Sequence, residues 1–400
     1  MSDFLNRYCY YTGESEVPSV FHLFAGLSLL AASVADRVWM LRDSGGSRIF
    51  PNLYCFLIGP SGSGKEKAIT TAARFAEGVP SMGLFVSTGV TKQFLIDHLS
   101  RTATEPHEPT NVLWLVTEEL GMSIPSRELG KDLIKFMTGH YIPSGLTTRE
   151  GTRMHGPKVL RDPMLNWLAG TTDEWLMQSV DKDAILGGFF ARVLSVRGKR
   201  DGSVRFAEMH YPPDREQVRE ELRLRLVKYT HLLAQFVRTP AAQAYYKDWY
   251  ESHIHRPSPN DQLMEAAFNR TDEMVHRLAL LLKLASMEDI PGFYTDIPVD
   301  VCHFHEAIQI WHAIMQDVPE TIKRAASTKE SEDVDSVADL VRRNKRIDHS
   351  TLLRRAGNRG MNAYRVASGL KELEGRGDIK LDVEPVSHGK TRRIYVWIGG

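Results

Sequence analysis

The sequence is poor in cysteine. Its three cysteines, Cys9, Cys55 and Cys302, lie far apart in 400 residues and form no CxxC pair. This spacing argues against both a disulfide framework and a zinc site, and it fits a reducing compartment. The amino terminus also lacks a basic stretch followed by an apolar run, so no signal peptide is predicted. We therefore expect a cytoplasmic protein.

Long hydrophobic runs and net charge are also missing. The most apolar stretch, residues 18–35, is short for a membrane span and contains His22 and Ser28, so we predict a buried core helix and no membrane partner. Fifty basic residues balance fifty acidic ones. Any nucleic-acid surface must therefore be a local patch. The length allows two or three domains.

Apolar runs of strand length alternate with helical patterns, one of which extends from Lys65 to Glu77. This alternation predicts an α/β core with a parallel sheet flanked by helices over residues 46–210, after an amino-terminal helical segment over 1–45. The predicted strands are 53–58, 112–116, 164–169 and 190–196.

The second half of the sequence reads differently. Helical periodicity from Arg215 predicts an all-α region over 211–325, and small polar residues predict a linker over 326–334. The predicted helices of the all-α region are 215–237, 274–287 and 299–325. Residues 335–400 then predict helices 335–344, 349–356 and 361–375, followed by strands 378–384 and 391–398. Three short helices and a β-hairpin are the order of a winged helix.

A glycine-rich segment of the form GxxxxGK follows the first predicted strand and precedes a helix. Such glycines let successive backbone N–H groups face an anion, the helix adds its positive end, and the lysine reaches the β- and γ-phosphates. The segment predicts a P-loop that binds ATP with Mg²⁺, with an unliganded glycine-rich turn as the alternative. The predicted nucleotide-binding residues are Gly59, Pro60, Ser61, Gly62, Ser63, Gly64, Lys65, Glu66 and Lys67.

Glu66 stands where a P-loop usually has Ser or Thr, whose hydroxyl binds Mg²⁺. A carboxylate can also bind the metal, directly or through water, but its charge repels the phosphates. The loop therefore supports nucleotide binding more firmly than rapid hydrolysis.

Two acids, Glu118 and Glu119, follow a predicted strand in the run NVLWLVTEEL. Ligands of open α/β sheets lie beyond the carboxyl ends of strands. We therefore predict that Glu118 holds the water shell of Mg²⁺ and that Glu119 orients or deprotonates the attacking water. The alternative is an acidic cap on the next helix.

Thr171 and Arg192 complete the predicted catalytic set. Thr171 follows the predicted strand 164–169, where its hydroxyl can contact the γ-phosphate or the attacking water as a sensor, with a helix cap as the alternative. Arg192 lies in an apolar run, where an unpaired charge is costly. It is predicted to be an arginine finger that acts across a subunit boundary, with a structural salt bridge as the alternative.

These stretches resemble the replication ATPases of phages and mobile elements that carry a helicase- or primase-associated P-loop domain. The resemblance covers about residues 4–320 and rests on FHLFAGLSLLAASVADRVW, PNLYCFLIGPSGSGK, LWLVTEELG, LNWLAGTTDEWL, GGFFARVLSV and MVHRLALLLKLA. It implies a RecA- or AAA+-like ATPase that forms a homo-oligomeric ring, such as a hexamer, and acts with other replication proteins at origins or forks. It supports Lys65, Glu118, Glu119, Thr171 and Arg192 as site residues. Glu66 and Glu118 depart from the usual Ser/Thr and Asp.

The carboxyl-terminal segment carries a local basic patch. Residues 341–395 hold fourteen Lys and Arg against six Asp and Glu. A winged helix docks its third helix in the major groove, and phosphate contacts dominate its affinity. The predicted DNA-binding residues are Arg354, Arg355, Arg359, Arg365, Lys390, Arg392 and Arg393. A module for protein contacts is the alternative.

These features favour an ATP-driven DNA replication protein, a helicase or a helicase-loader-like ring ATPase. Two alternatives remain: a nucleotide-gated DNA-binding scaffold that hydrolyses little, which Glu66 favours, and an AAA+ transposition regulator.

Overall fold

The computed structural model describes most of the chain, as two compact units, Met1–Arg324 and Ala325–Gly400. The described residues are 4–13, 16–42, 46–79, 81–87, 89–100, 111–124, 127–143, 147–152, 156–179, 188–198, 211–252, 262–290, 292–326, 329–386 and 390–399. The three segments predicted over 1–325 fall almost wholly within the first unit.

Helices and strands are mixed along the chain. The helices are α1 (Phe4–Thr12), α2 (Ser19–Val34), α3 (Lys65–Ala76), α4 (Lys92–Leu99), α5 (Leu120–Ser123), α6 (Arg127–Gly139), α7 (Asp173–Ser179), α8 (Arg215–Thr230), α9 (Pro240–Ser252), α10 (Gln262–Phe268), α11 (Thr271–Ser286), α12 (Val301–Ala326), α13 (Lys329–Asn344), α14 (His349–Gly357) and α15 (Ala363–Arg376). The strands are β1 (Val38–Leu41), β2 (Arg48–Ile49), β3 (Tyr54–Ile58), β4 (Leu84–Val86), β5 (Val112–Thr117), β6 (Thr147–Thr152), β7 (Gly156–Arg161), β8 (Met164–Thr171), β9 (Val193–Arg197), β10 (Leu233–Arg238), β11 (Phe293–Val299), β12 (Arg346–Asp348), β13 (Ile379–Val386) and β14 (Lys390–Trp397).

The centre of the first unit is a five-stranded, all-parallel sheet of order β4-β5-β8-β3-β9. Every residue of β3, β5 and β8 is buried, as expected for strands covered by helices on both faces. The predicted α/β core with a parallel sheet is therefore confirmed. β4 is a further strand, which the sequence did not indicate.

Helix α2 lies against this sheet. Nearly all of its residues are buried, and it packs on α1, α3, α8 and strands β3, β8 and β9. The prediction of a core helix over residues 18–35 is therefore confirmed. Among the residues that the structure describes, no helix is long and apolar enough to cross a membrane.

A second sheet, of order β11-β10-β1-β2, corrects two predictions. The segment 1–45 is not wholly helical, because β1 pairs in parallel with β10. The region 211–325 is not all-α, because it supplies β10 and β11. The predicted helix 215–237 ends at Thr230, and the residues after it form the strand Leu233–Arg238.

Two smaller corrections concern the core. The predicted strand 190–196 begins only at Val193, because Phe190–Arg192 form a 3₁₀ turn. The antiparallel hairpin of β6 and β7 was not predicted, and it lies between α6 and β8 in the chain.

The second unit has the order α13-β12-α14-α15-β13-β14, with an antiparallel sheet β12-β14-β13. The three predicted helices and two strands are present, and β12 is additional. Helix α13 starts at Lys329, inside the predicted linker. Residues 387–389, which lie between the two predicted strands, are outside the described residues. The core of this unit includes Val337, Leu352, Val366, Leu370 and Tyr395.

Candidate functional site

The glycine-rich loop follows β3, and the connections after β3 and after its neighbour β8 run to opposite sides of the sheet. After β3 the chain continues to β4 at one edge, whereas after β8 it continues to β9 on the other side of β3. The crevice between β3 and β8 therefore opens at their carboxyl ends, where α/β sheets bind ligands. The amide of Gly59 donates to the carbonyl oxygen of Thr171 (3.2 Å) and so ties the start of the loop to the end of β8.

The loop has the backbone conformation that its glycines allow. Gly64 has φ +84° and occupies the N-cap position of α3, a left-handed conformation that other residues rarely adopt. A Cβ atom there would lie 2.5 Å from Cγ2 of Val17. The glycine at this position is therefore required both by the turn into α3 and by the close packing of Val17.

Lys65, at the first position of α3, is held by the loop itself. Its ammonium group donates to the carbonyl oxygens of Gly59 (2.7 Å) and Pro60 (2.8 Å). Burial lowers the pKa of Lys65, while the carboxylates of Glu119 and Glu174 oppose that shift. The two carbonyl oxygens thus accept hydrogen bonds from this partly buried cation.

A cavity of about 620 Å³ lies over the loop, within the roughly 300–1,000 Å³ typical of ligand pockets. Its lining comes from residues 61–67, the exposed face of α3, the ends of β5 and β8, and the segment leading into α8. Four cationic and three anionic side chains line it: Lys65, Lys67, Arg74, Arg215, Glu66, Glu118 and Glu119. The structure thus brings residues 61–67 of the predicted loop and the acidic pair together at one cavity, whereas Gly59 and Pro60 do not line it.

Glu118 and Glu119 follow β5 directly, and both are exposed to the cavity. The carbonyl oxygen of Glu118 would lie 2.4 Å from a Cβ atom at Gly170, so that glycine lets the acidic pair approach β8 closely. Glu119 takes the N-cap position of the short helix α5, but its side chain makes no capping hydrogen bond. Both residues therefore line the cavity, and the Glu119 carboxylate is not used to cap α5.

The donor set fits Mg²⁺ that is bound together with a nucleotide. Among the described residues, no group of three or more His, Cys, Asp and Glu side chains is arranged to hold a metal ion alone. Mg²⁺ usually keeps several waters and takes one or two carboxylates together with substrate phosphates. Glu66 and Glu118 supply such carboxylates at the rim of the loop.

Thr171 and its neighbour Thr172 have different positions. Thr171 is buried, and its side chain is not part of the cavity lining, whereas Thr172 lines the cavity. The Thr172 hydroxyl accepts a hydrogen bond from the amide of Trp175 (3.2 Å) and so caps α7. The hydroxyl at the cavity therefore belongs to Thr172, and the structure does not bring the Thr171 side chain to the site.

Arg192 lies at the amino ends of the parallel strands, away from the glycine-rich loop. Val193 pairs with Tyr54 at the amino end of β3, whereas the loop follows its carboxyl end. At about 3.3 Å per residue, β9 separates Arg192 from the loop edge by roughly 15 Å. The guanidinium donates to the carbonyl oxygen of Gly188 (2.6 Å) and lies 6.0 Å from the Tyr141 ring. Burial, reinforced by Arg270, lowers its pKa. Arg192 therefore does not reach the cavity of its own chain.

Several residues that line the cavity were not predicted from the sequence, among them Arg74, Tyr211 and Arg215. Helical periodicity could have revealed Arg74, because it follows Lys67 by two turns on α3. Tyr211 and Arg215 are distant in sequence, and they reach the cavity because α8 packs against α3.

Several predicted DNA-binding residues of the second unit already have partners. Arg365 pairs with the buried Asp333, Arg359 with Asp339 (3.1 Å) and Arg392 with Asp348 (3.2 Å). Arg355 donates to the side chain of Asn344. Arg354 and Arg393 are exposed and have no ion-pair partner among the described residues. The side chain of Lys390 lies outside the described residues.

No protein-family model matches the sequence, and no curated protein is found to be similar to it.

Proposed function

We propose that the chain is a P-loop NTPase that binds ATP with Mg²⁺ at the Gly59–Lys65 loop and hydrolyses it. One observation carries the proposal. A GxxxxGK loop joins a buried central strand to a helix, and the acidic pair that follows β5 lines the same cavity. Backbone amides, a helix amino terminus and a lysine are the groups that bind a polyphosphate. Carboxylates across the cavity suit the metal and the water.

Each side chain has a distinct role in this proposal. Lys65 exchanges its bonds with the Gly59 and Pro60 carbonyls for the β- and γ-phosphates. Glu118 and Glu66 hold the water shell of Mg²⁺, which neutralises phosphate charge. Glu119 orients the attacking water or accepts its proton.

Calorimetry with Mg²⁺ and ATP, together with a steady-state ATPase assay, tests the proposal. Lys65→Ala should abolish measurable ATP binding, because the main phosphate cation is removed. Glu119→Gln should retain binding and lose most hydrolysis, by the 10²–10⁴-fold that acid–base groups contribute. Lys135→Ala, an exposed lysine on α6 outside the cavity, is the matched control. Unchanged ATP affinity in folded Lys65→Ala protein contradicts the assignment.

We also propose that the second unit is a winged helix that binds DNA. Its element order supports this, as does the basic excess of residues 341–395 in a chain without net charge. Arg354 and Arg393 contribute exposed charge for phosphate contacts, whereas Arg359, Arg365 and Arg392 are engaged in ion pairs.

Together with the resemblance described above, these sites support a ring-forming DNA replication ATPase of a phage or mobile element. The test combines mass measurement of the assembly with ATPase rates in the absence and presence of DNA. We expect a nucleotide-dependent oligomer whose turnover DNA stimulates. A monomer whose ATPase rate does not respond to DNA contradicts this role.

Glu66 favours a second candidate, a DNA-binding scaffold that assembles on ATP and hydrolyses little. Its exposed carboxylate lines the cavity where a hydroxyl would bind Mg²⁺. In that case the wild type binds ATP without turnover, and Glu66→Thr gains hydrolysis. Measurable turnover in the wild type, with no gain in Glu66→Thr, excludes this candidate.

A further inference from the structure

We propose that the part of the cavity farthest from the glycine-rich loop is a nucleobase subsite, in which the base stacks on the ring of Tyr211. This inference rests on the proposed ATP binding and assigns the other end of the same ligand.

The direction of the cavity along α3 supports this assignment. Its lining continues from Lys65 through Thr70 and Thr71 to Arg74. A helix rises about 1.5 Å per residue, so Arg74 lies roughly 13 Å beyond Lys65. That distance is comparable to the length of a nucleoside triphosphate. A nucleotide with its terminal phosphates at Lys65 therefore has its base near Arg74, on the side where α8 begins.

An aromatic and cationic stack forms the wall at that end. The Arg215 guanidinium lies 3.6 Å from the centroid of the Tyr211 ring and 4.4 Å from that of Tyr11. Tyr211 keeps 41% of its surface exposed while lining the cavity. The Arg215 guanidinium thus packs against both the Tyr211 ring and the Tyr11 ring of α1. A supported and accessible ring is a suitable platform for a base.

The hydroxyl groups on the α3 side of the cavity are already used as hydrogen-bond donors within the helix. The hydroxyls of Thr70 and Thr71 already donate to the carbonyl oxygens of Glu66 (2.8 Å) and Lys67 (2.7 Å). Arg74 is exposed and can lie over the ring of a base or near the α-phosphate. Among the residues that line the cavity, Tyr211 supplies the aromatic ring on which a base can stack.

The test compares the affinities of ATP and of inorganic triphosphate, which lacks the base. Both are measured by calorimetry with Mg²⁺ on the full chain, for the wild type, Tyr211→Ala and Tyr211→Phe. Tyr10→Ala is the matched control, because Tyr10 is a similarly exposed tyrosine that does not line the cavity. Thermal unfolding of each variant confirms that it is folded.

We expect Tyr211→Ala to weaken ATP binding by roughly 5- to 150-fold, since stacking of one base contributes about 1–3 kcal/mol. Triphosphate affinity should stay unchanged, and Tyr211→Phe should bind ATP like the wild type. Unchanged ATP affinity in Tyr211→Ala, or equal losses for ATP and triphosphate, overturns the base subsite while leaving the phosphate site intact. A wild type that binds neither ligand overturns the proposed function, and the base subsite with it.

Discussion

The ammonium nitrogen of Lys65 lies 2.7 Å from the carbonyl oxygen of Gly59, so the cation of the loop is bonded to the loop's own first residue. This contact stabilises the ligand-free loop, because carbonyl oxygens accept hydrogen bonds from the partly buried ammonium group of Lys65. In the proposed ATP complex, Lys65 exchanges this contact for the β- and γ-phosphates.

The first prediction concerns Gly64. Gly64→Ala combines a left-handed backbone with a contact to Val17, whereas Gly62→Ala has the backbone strain alone, because nothing lies near its Cβ position. We expect Gly62→Ala to cost about 1–2 kcal/mol of unfolding free energy and Gly64→Ala about 1–3 kcal/mol more. Urea unfolding measures both.

Val17→Ala in the Gly64→Ala background provides the control, because it removes the contact but not the strain. It should restore part of the lost stability. Equal stability of Gly62→Ala and Gly64→Ala shows that Val17 does not restrict this position.

The second prediction concerns His22, which is buried and has no hydrogen-bond partner for either ring nitrogen among the described residues. Burial, assisted by Lys67, lowers the pKa of His22 from 6.5 to about 4. Between these values the unfolded chain binds a proton that the folded chain does not. This residue therefore makes stability fall as the pH decreases from 6.5 to 4, by roughly 3 kcal/mol in total.

His22→Leu should reduce this loss of stability on acidification, and His231→Gln, at an exposed histidine, should not. Urea unfolding at pH 7 and pH 4.5 measures the difference. The same pH dependence in His22→Leu as in the wild type refutes the prediction.

The third prediction separates structural from DNA-binding arginines in the second unit. Arg365→Ala leaves Asp333, which is 7% exposed, without its guanidinium partner. We expect a loss of roughly 1–3 kcal/mol of stability. Arg354→Ala should change stability by less than about 0.5 kcal/mol, because Arg354 is exposed.

For DNA affinity we expect the larger effect from Arg354→Ala, which has the smaller effect on stability. Arg354→Ala should lower the affinity and reduce the slope of log affinity against log salt by about 0.9, the value for one lost phosphate contact. Fluorescence anisotropy at several salt concentrations measures both quantities. If Arg354→Ala binds DNA with unchanged affinity and slope, the residue makes no phosphate contact.

The fourth prediction concerns Arg192. Arg192 lies at the amino ends of the parallel strands, whereas the loop follows their carboxyl ends. Arg192→Ala should therefore bind ATP with unchanged affinity. If it acts as a finger on a neighbouring subunit, Arg192→Ala should lose hydrolysis. Mixtures with Lys65→Ala should then recover part of it at composite interfaces. Inactive mixtures that are shown to co-assemble leave Arg192 a structural role.

Local patterns predicted the central sheet and the loop, but not the second sheet. Residues 233–238 continue the helical spacing of α8, yet they form β10 because β1, distant in sequence, offers a parallel partner. Tertiary pairing here overrides local propensity. Tyr211 and Arg215 were missed for the same reason, because the packing of α8 on α3 places them at the cavity. The glycine spacing of residues 59–65, in contrast, predicted the loop because all of its residues are close in sequence.

A crystal structure with Mg²⁺ and a non-hydrolysable ATP analogue is the decisive test of the proposed nucleotide site. We expect the β-phosphate within hydrogen-bonding distance of the amides of residues 62–65 and of Lys65 Nζ. We also expect Lys65 to be released from Gly59 and the metal to lie on the side of Glu118. An analogue bound elsewhere, or a loop that stays empty at saturating analogue with Lys65 still bonded to Gly59, contradicts the proposed site.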